Sequence, residues 1–489
     1  MRKSGILLHP TSLPGEWGIG DLGQWAYRFA DFLAEGGQQI WQILPLGPPG
    51  CGHSPYQTYS SMAGNPLLIS IQSLFEQGWL LSEDLVGAPR LPESEVDFDS
   101  VIPLKMRLIR KAAGNFFKRD SDPLRQEFLH FCSRMKPWLD DFAEYAALKE
   151  ANSGAAWTDW KPEIGANPQD ILDHKFIQFA FYVQWKSVKK YCNERGIKIM
   201  GDIPIFIAHD SSDVWANPEM FDLDEKGSPR TIAGVPPDYF SETGQCWGNP
   251  LYRWDVMEQT GYGWWIERIR SMLDMVDIVR LDHFRGFEKH WEIPAGSRTA
   301  VNGRWVDGPG DRFFQALFNS FGPLPFVAED LGYITPEVHQ LRDRWGFPGM
   351  RVLQFAFGDP SADNPHKPYN FIQNCVAYTG THDNDTTAGW FSSKQLRNEN
   401  ESALQYLNGN VDDAVWGFVR LVLSSVADTA IVPMQDVLCL GSEARMNLPA
   451  TTGNNWRWRM REDQLKPELA KKLRELNRIY GRLKMENGK

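Results

Sequence analysis

The stretch DIVRLDH, residues 277–283, is a short apolar run that ends in charged residues. Such runs, separated by segments with helical periodicity, are typical of parallel βα units. We find eight of them: GILLH (5–9), IWQILPL (40–46), IKIMGDIPIFI (197–207), DIVRLDH (277–283), PFVAED (325–330), MRVLQFAF (350–357), CVAYTGTHD (375–383) and TAIVPMQDVL (429–438). Eight strands are what a (β/α)8 TIM barrel requires, so the sequence predicts an α/β protein of this class.

The spacing of the runs predicts where the barrel is enlarged. A plain βα unit needs about 30 residues, whereas residues 47–196 separate the second run from the third. Within a single catalytic domain, 1–489, we therefore predict an inserted, largely helical subdomain at 47–175. A second insertion, 208–253, is rich in Pro, Gly and Asp and predicts an ordered lid rather than a packed layer. Further helices are predicted at 103–119, 123–149, 176–196 and 461–484.

Charge and cysteine content narrow the range of partners and compartments. The formal net charge is −11 with no long run of Lys or Arg, which disfavours nucleic acid or an anionic membrane surface. No stretch approaches the ~18 apolar residues of a membrane span, and the N-terminal apolar run is too short for a secretory signal. The six cysteines are scattered without zinc-type spacing. We expect reduced thiols in a cytoplasmic protein, or a stromal one in a plastid.

Acidic residues stand near the carboxyl ends of the predicted strands, where barrel enzymes build their active sites. A carboxylate in an apolar strand is costly unless it is paired or functional, so we predict that these residues converge. Side chains alternate along a strand, so Arg280 would hold Asp282 ionised, as a nucleophile or an electrostatic stabiliser needs. Apolar neighbours would keep Glu329 protonated, as a general acid needs. The set comprises Asp202, Asp282, Glu329, Asp330, Asp383 and Asp436.

Three kinds of site fit carboxylates on successive barrel strands. In a divalent-metal site, Asp202, Asp282 and Glu329 would be oxygen ligands beside a Lys or His base, but no Lys ends any of the eight runs. Glycoside chemistry needs only two carboxyl groups, about 5–5.5 Å apart when configuration is retained. A sugar-binding barrel without catalysis would need aromatic residues but not the acids. The residues favour glycoside chemistry and leave the other two open.

At RLDHFRG (280–286), AEDLG (328–332) and THDN (381–384), the chain resembles the 4-α-glucanotransferases, or amylomaltases, of glycoside hydrolase family 77 in the α-amylase clan. The resemblance continues along nearly the whole chain in the family's order. It also covers GILLHPTSLPG (5–15), SPYQ (54–57), GNP (64–66), GDIPIF (201–206), GVPPDYFSETGQCWGNP (234–250), ARMNLP (444–449) and GNNWRWR (453–459).

The resemblance implies a role for each matching residue. Asp282 matches the nucleophile that forms a covalent glucosyl-enzyme intermediate, Glu329 the general acid/base, and Asp383 the third carboxylate that grips the distorted sugar. Further matches are implied to bind substrate: Arg280, His382, Asp202, His283, Tyr56, Gln245, Trp247 and Asn454. The doubled Asn at 454–455 leaves the last assignment open to either residue, and Cys246 matches no residue with a role.

The resemblance also implies what the protein acts on. The expected substrates are α-1,4-glucans and maltooligosaccharides, with transfer to an acceptor sugar rather than to water and with no metal or cofactor. An α-amylase-like hydrolase is the alternative, since both activities share the first half-reaction. A calcium site at Asp363 and Asp383–Asp385 is a further alternative. The family lacks a C-terminal β-sandwich, and roughly 50 residues after the last run leave no room for one here.

Overall fold

Eight parallel strands form the central sheet of the computed structural model, which describes residues 2–87, 89–119, 121–237, 241–409, 413–451 and 453–483. Their order is β10-β11-β12-β1-β2-β3-β6-β9. The Ala328 N–H donates to the Pro348 carbonyl oxygen at 2.9 Å, which connects the two ends of the sheet in a barrel. The strands of the chain are β1 (Lys3–Leu7), β2 (Ile40–Gln42), β3 (Lys198–Pro204), β4 (Thr231–Val235), β5 (Gln245–Pro250), β6 (Ile278–Asp282), β7 (Lys289–Pro294), β8 (Arg304–Asp307), β9 (Phe326–Ala328), β10 (Gly349–Val352), β11 (Cys375–Tyr378) and β12 (Thr429–Pro433).

Each of the eight runs overlaps a barrel strand, which confirms the predicted (β/α)8 fold, but the strands end earlier than the runs. Asp383 lies five residues beyond the end of β11, and Asp436 lies in a helical turn after β12, so the prediction that both stand on strands was wrong. Each run continues into a loop because the carboxyl-end loops of the barrel are themselves buried. Glu329 directly follows β9, while Asp202 and Asp282 do lie on strands β3 and β6.

Helices surround the barrel and fill the long connections. None of those that the structure describes is long and apolar enough to cross a membrane. The helices are α1 (Gln24–Glu35), α2 (Ile71–Glu76), α3 (Ser82–Leu85), α4 (Phe98–Phe117), α5 (Arg125–Arg134), α6 (Lys136–Ala151), α7 (Pro168–Glu194), α8 (Ser212–Ala216), α9 (Trp254–Gln259), α10 (Gly263–Met275), α11 (Gly310–Phe321), α12 (Pro336–Arg344), α13 (Thr387–Ser392), α14 (Arg397–Leu407), α15 (Ala414–Ser424), α16 (Met434–Val437) and α17 (Pro467–Ile479).

Five helices, α2 to α6, lie between β2 and α7 in the segment predicted as an inserted subdomain. The helix that leads into β3 begins at Pro168, not at residue 176, because Asn167 caps it and Pro168 takes its first position. A boundary at 175 would therefore cut through α7. The extent of the inserted subdomain stays a prediction, but its boundary does not fall inside α7, which is one continuous helix.

The segment predicted as a lid, 208–253, contributes two strands to a second sheet. This antiparallel sheet has the order β5-β4-β7-β8, and β7 and β8 come from the loop after β6. The local pattern does not indicate these strands, because β4 pairs with a strand about 60 residues away. The role of the segment as a lid stays a prediction. Residues 238–240 lie outside the described part of the chain.

The C-terminal part closes the barrel. Helix α17, Pro467–Ile479, lies within the predicted range 461–484 but is shorter than predicted. Residue 484 lies outside the described residues. The Arg482 guanidinium is fully buried and donates to the carbonyl oxygens of Lys3 (2.7 Å) and Leu423 (2.6 Å). Within 434–451 and 453–483 no strand follows β12, so these residues form no β-sandwich.

Candidate active site

Arg280 connects two of the predicted carboxylates. Asp202 on β3 lies beside Arg280 on β6 in the parallel register, and Asp282 follows two residues later on the same face. One nitrogen, Nη1 of Arg280, donates to Asp202 Oδ2 at 2.7 Å and to Asp282 Oδ1 at 2.9 Å. Burial opposes the charge of Arg280, but the two carboxylates outweigh it and raise its pKa. The guanidinium therefore fixes the position of both acids.

The two acids beside Arg280 differ in exposure. The Asp202 side chain is fully buried and also accepts a hydrogen bond from the Tyr56 hydroxyl at 2.7 Å. Burial raises the pKa of Asp202 to about 7, against the opposing charge of Arg280. The Asp282 side chain is 27% exposed, so one of its oxygens can meet a molecule in the barrel mouth.

Glu329 occupies a different environment. Its Oε2 accepts from the His283 backbone N–H at 2.7 Å and its Oε1 from the Leu331 N–H at 2.9 Å. Burial, followed by the negative charge of Asp282, raises the pKa of Glu329 to about 8, although Arg280 and the two backbone donors act in the other direction. Glu329 therefore holds a proton near neutral pH. It is hydrogen-bonded to the backbone of His283, the residue that follows Asp282.

Asp383 is held by residues that the sequence analysis did not single out. Its Oδ1 accepts from Asn447 Nδ2 at 2.6 Å, and its carbonyl oxygen accepts from Arg445 Nη2 at 2.6 Å. Nε2 of His382 lies 3.5 Å from Asp383 Oδ2. Asn447 and Arg445 belong to the ARMNLP motif, but nothing in their local pattern indicates that this loop returns to Asp383.

Aromatic rings line the site next to Asp202 and Asp383. The rings of Tyr56 and His382 are stacked, with centroids 5.2 Å apart and planes at 10°. Trp456, a third residue that the sequence analysis did not single out, lies 5.9 Å from Tyr56 and 6.1 Å from His382. Burial lowers the pKa of His382, against the opposing effect of Asp383, so its imidazole is neutral at neutral pH.

Gln245 and Trp247, which the resemblance implies bind substrate, are connected to His283. Trp247 on β5 makes an edge contact with His283, with ring centroids 4.8 Å apart. The Trp247 indole N–H donates to Gln245 Oε1 at 3.1 Å, so these two side chains form one unit. Cys246 lies between them and is exposed.

Asn454 is the one predicted site residue that no contact connects to the others. It is exposed, with a positive φ of 60°, and among the described residues none hydrogen-bonds its side chain. The neighbouring Asn455 binds its own loop instead, since its amide accepts from the Leu448 N–H at 3.0 Å and donates to the Thr451 carbonyl at 3.0 Å. Of the two asparagines, Asn454 has the freer side chain.

Two predicted acids have structural partners instead. Asp330 is buried, pairs with Arg342 and accepts from the Met350 N–H at 2.6 Å. Asp436 is buried and accepts from the Thr379 hydroxyl at 2.5 Å and the Thr387 N–H at 2.7 Å. Asp330 connects the end of β9 to α12 and β10, and Asp436 connects α16 to α13 and to the end of β11.

The position of Arg280 argues against the divalent-metal site considered for Asp202, Asp282 and Glu329. A cationic guanidinium lies where Asp202 and Asp282 would have to share a divalent ion. In the part of the chain that the structure describes, no group of three or more His, Cys, Asp or Glu residues could hold a metal, and this includes the candidate calcium residues. Coordination of a metal by Asp202, Asp282 and Glu329 does not fit this geometry.

The chain is similar to known proteins along nearly its whole length. A family model described as 4-alpha-glucanotransferase matches residues 8–465. The chain is 50% identical to a 4-alpha-glucanotransferase of Synechocystis sp. (98% of each chain) and 46% identical to one of Thermus thermophilus (99% of each). The solved structure of an amylomaltase from Streptococcus agalactiae in complex with acarbose superposes with a TM-score of 0.94 at 37% identity, covering 99% of this chain and 100% of that one. The chain therefore belongs to the 4-alpha-glucanotransferase family, glycoside hydrolase family 77, and has the activity of that family rather than that of an α-amylase-like hydrolase.

Proposed function

We propose that Asp282 and Glu329 are the nucleophile and the general acid/base of a retaining transfer between α-1,4-glucan chains. The observation that carries the proposal is the hydrogen bond from the His283 N–H to Glu329 Oε2 at 2.7 Å, which holds a protonated acid next to the residue that follows Asp282. An exposed carboxylate that is oriented by Arg280 and a buried acid of raised pKa are the two groups that the chemistry needs.

The first half-reaction breaks the donor's glycosidic bond. An Asp282 oxygen attacks the anomeric carbon, the bond from that carbon to the leaving oxygen breaks, and the Glu329 proton passes to that oxygen. In the second half-reaction an acceptor hydroxyl gives its proton to Glu329, and its oxygen replaces Asp282 on the anomeric carbon. Two displacements restore the original configuration, and the number of glycosidic bonds does not change.

The surrounding residues fit a sugar in this position. Asp383 is presented by Asn447 Nδ2 with one oxygen engaged, and its side chain is 45% exposed, so its other oxygen can accept from sugar hydroxyls. Tyr56 and His382 stack on each other, and the partly exposed Tyr56 ring can pack against a pyranose ring. We also assign Arg280 and Asp202 to the binding of this sugar. Both are buried, and they act by positioning Asp282 and Tyr56.

The acceptor side is assigned to the segment 208–253, which we propose acts as a lid built on the second sheet. Trp247 offers a ring face and Gln245 an amide; the two side chains are hydrogen-bonded to each other, and Trp247 contacts the His283 ring. An acceptor oriented there competes with water for the intermediate because its hydroxyl is already in place. We assign Asn454 to the donor side as an exposed loop residue.

Products from maltotriose test the proposal. Transfer gives glucose and a ladder of longer oligosaccharides while the number of reducing ends stays constant. Proton NMR of the first products reports the anomeric configuration, which we expect to be α throughout. A steady rise in reducing ends with nothing longer than maltotriose, or a β product, contradicts the proposal.

We also propose a cytoplasmic or stromal compartment, with which the six free cysteines agree.

A further inference from the structure

An aromatic surface lies beside the proposed catalytic pair. The rings of Trp305 on β8 and Tyr333, in the loop after β9, are nearly parallel, with an interplanar angle of 21° and centroids 6.1 Å apart. Tyr333 is 64% exposed. Trp291 pairs with Trp305 across β7 and β8, and their rings are 5.1 Å apart. We call Trp291, Trp305 and Tyr333 the aromatic surface.

The aromatic surface is held rigidly from below. The buried Arg285 guanidinium lies 3.8 Å from the centroid of the Trp305 ring, donates to the Tyr333 carbonyl oxygen and donates to the Lys289 carbonyl oxygen at 3.3 Å. The Trp291 indole N–H donates to the Ala300 carbonyl oxygen at 2.9 Å. Because the rings are ordered before any ligand arrives, binding there loses little conformational entropy.

The aromatic surface belongs to the two chain segments that follow the proposed catalytic residues, one after β6 and one after β9. Arg285 lies three residues after Asp282, and Tyr333 lies four residues after Glu329. Four residues span at most about 14 Å, so the Tyr333 backbone lies within a few sugar lengths of the acid/base. The Leu331 N–H, two residues before Tyr333, donates to Glu329 Oε1, so this loop lies against the acid/base. We take this side to be that of the leaving and acceptor chains, because a general acid protonates the leaving oxygen.

We propose that the aromatic surface binds an α-glucan chain several sugar units beyond the catalytic pair, on the side shared by the leaving and acceptor chains. This inference rests on the function proposed above. The apolar C–H faces of pyranose rings pack on exposed aromatic rings. Arg285, which lies against the Trp305 ring, is balanced by Glu288 at 3.8 Å, so the aromatic surface suits a neutral ligand.

Tyr333→Ala tests this inference because Tyr333 is exposed and its removal spares the fold. We expect its KM for maltoheptaose to rise about tenfold, the effect of losing one ring-sized apolar contact, while its KM for maltotriose changes much less. Tyr333→Phe keeps the ring and restores the wild-type KM. The matched control is Tyr369→Ala, since Tyr369 is 60% exposed and lies outside the aromatic surface.

Calorimetric titration of maltoheptaose separates binding from turnover. In an Asp282→Asn background, adding Tyr333→Ala should weaken the affinity about tenfold, and adding Tyr369→Ala should not. If Asp282→Asn binds maltoheptaose equally well with and without Tyr333→Ala, while the wild type makes the maltotriose ladder, this inference alone is overturned. A wild type that makes no ladder overturns the proposed function instead. If Tyr333→Ala changes only the sedimentation coefficient, the aromatic surface is a contact between copies of the chain, and the inference is wrong.

Discussion

Glu329→Gln separates the catalytic use of Glu329 from its effect on stability. Burial raises the pKa of this carboxyl from 4.5 to about 8. Because the folded-state pKa is the higher one, the protonated acid favours the folded state at low pH. That contribution is lost progressively as the pH rises from about 4.5 through 8. The wild type thus loses stability over this range, whereas the uncharged glutamine does not titrate.

The size of the effect follows from the pKa change. The full change corresponds to roughly 5 kcal/mol as an upper bound, and relaxation and water entry on ionisation reduce it to about 1–3 kcal/mol. Glutamine also leaves one of the backbone donors, His283 N–H or Leu331 N–H, without an acceptor. That loss lowers stability by an amount nearly independent of pH. The quantity to measure is therefore how the difference in stability between wild type and Glu329→Gln changes with pH.

Thermal unfolding of both proteins at several pH values between 5 and 8.5 provides the measurement. We expect the Tm of Glu329→Gln, relative to wild type, to rise by about 1–3 °C across this range. Transfer by the wild type should fall as the pH rises through about 8, because the acid loses its proton, while the variant is nearly inactive throughout. The control is Glu468→Gln, an exposed residue on α17. A Tm difference that stays constant from pH 5 to 8.5 refutes the assignment of a buried, protonated Glu329.

Three other substitutions test the remaining roles. Asp282→Asn should lower kcat at least about 10³-fold but keep the affinity for maltoheptaose in calorimetry, since the amide keeps the shape without the nucleophile; lost affinity would indicate a structural role. Asn447→Ala should lower kcat about 10–100-fold with little change in KM, because Asp383 loses the donor at 2.6 Å that orients it; an unchanged kcat in steady-state kinetics argues against that positioning role. Trp247→Ala should raise the ratio of new reducing ends to transfer products from maltotriose, and an unchanged ratio excludes the lid from acceptor selection.

The sequence by itself predicts the barrel and the identity of its acids. Strands buried on both faces appear as apolar runs, so all eight could be located from local pattern alone. The alternation of side chains along a strand correctly placed Arg280 and Asp282 on one face, where they form an ion pair. The prediction that Glu329 has a raised pKa also follows from local composition, because its apolar neighbours bury it.

Only the tertiary structure reveals which distant segments complete the site. Asn447 and Asp383 are 64 positions apart, and the hydrogen bond between them depends on a loop path that no periodicity encodes. In the second sheet β4 pairs with β7, which in turn pairs with β8, and Trp305 on β8 lies beside Tyr333 from the loop after β9. Local patterns are set by which face of an element is buried, whereas these contacts are set by how the loops after separate strands fold back over the barrel mouth.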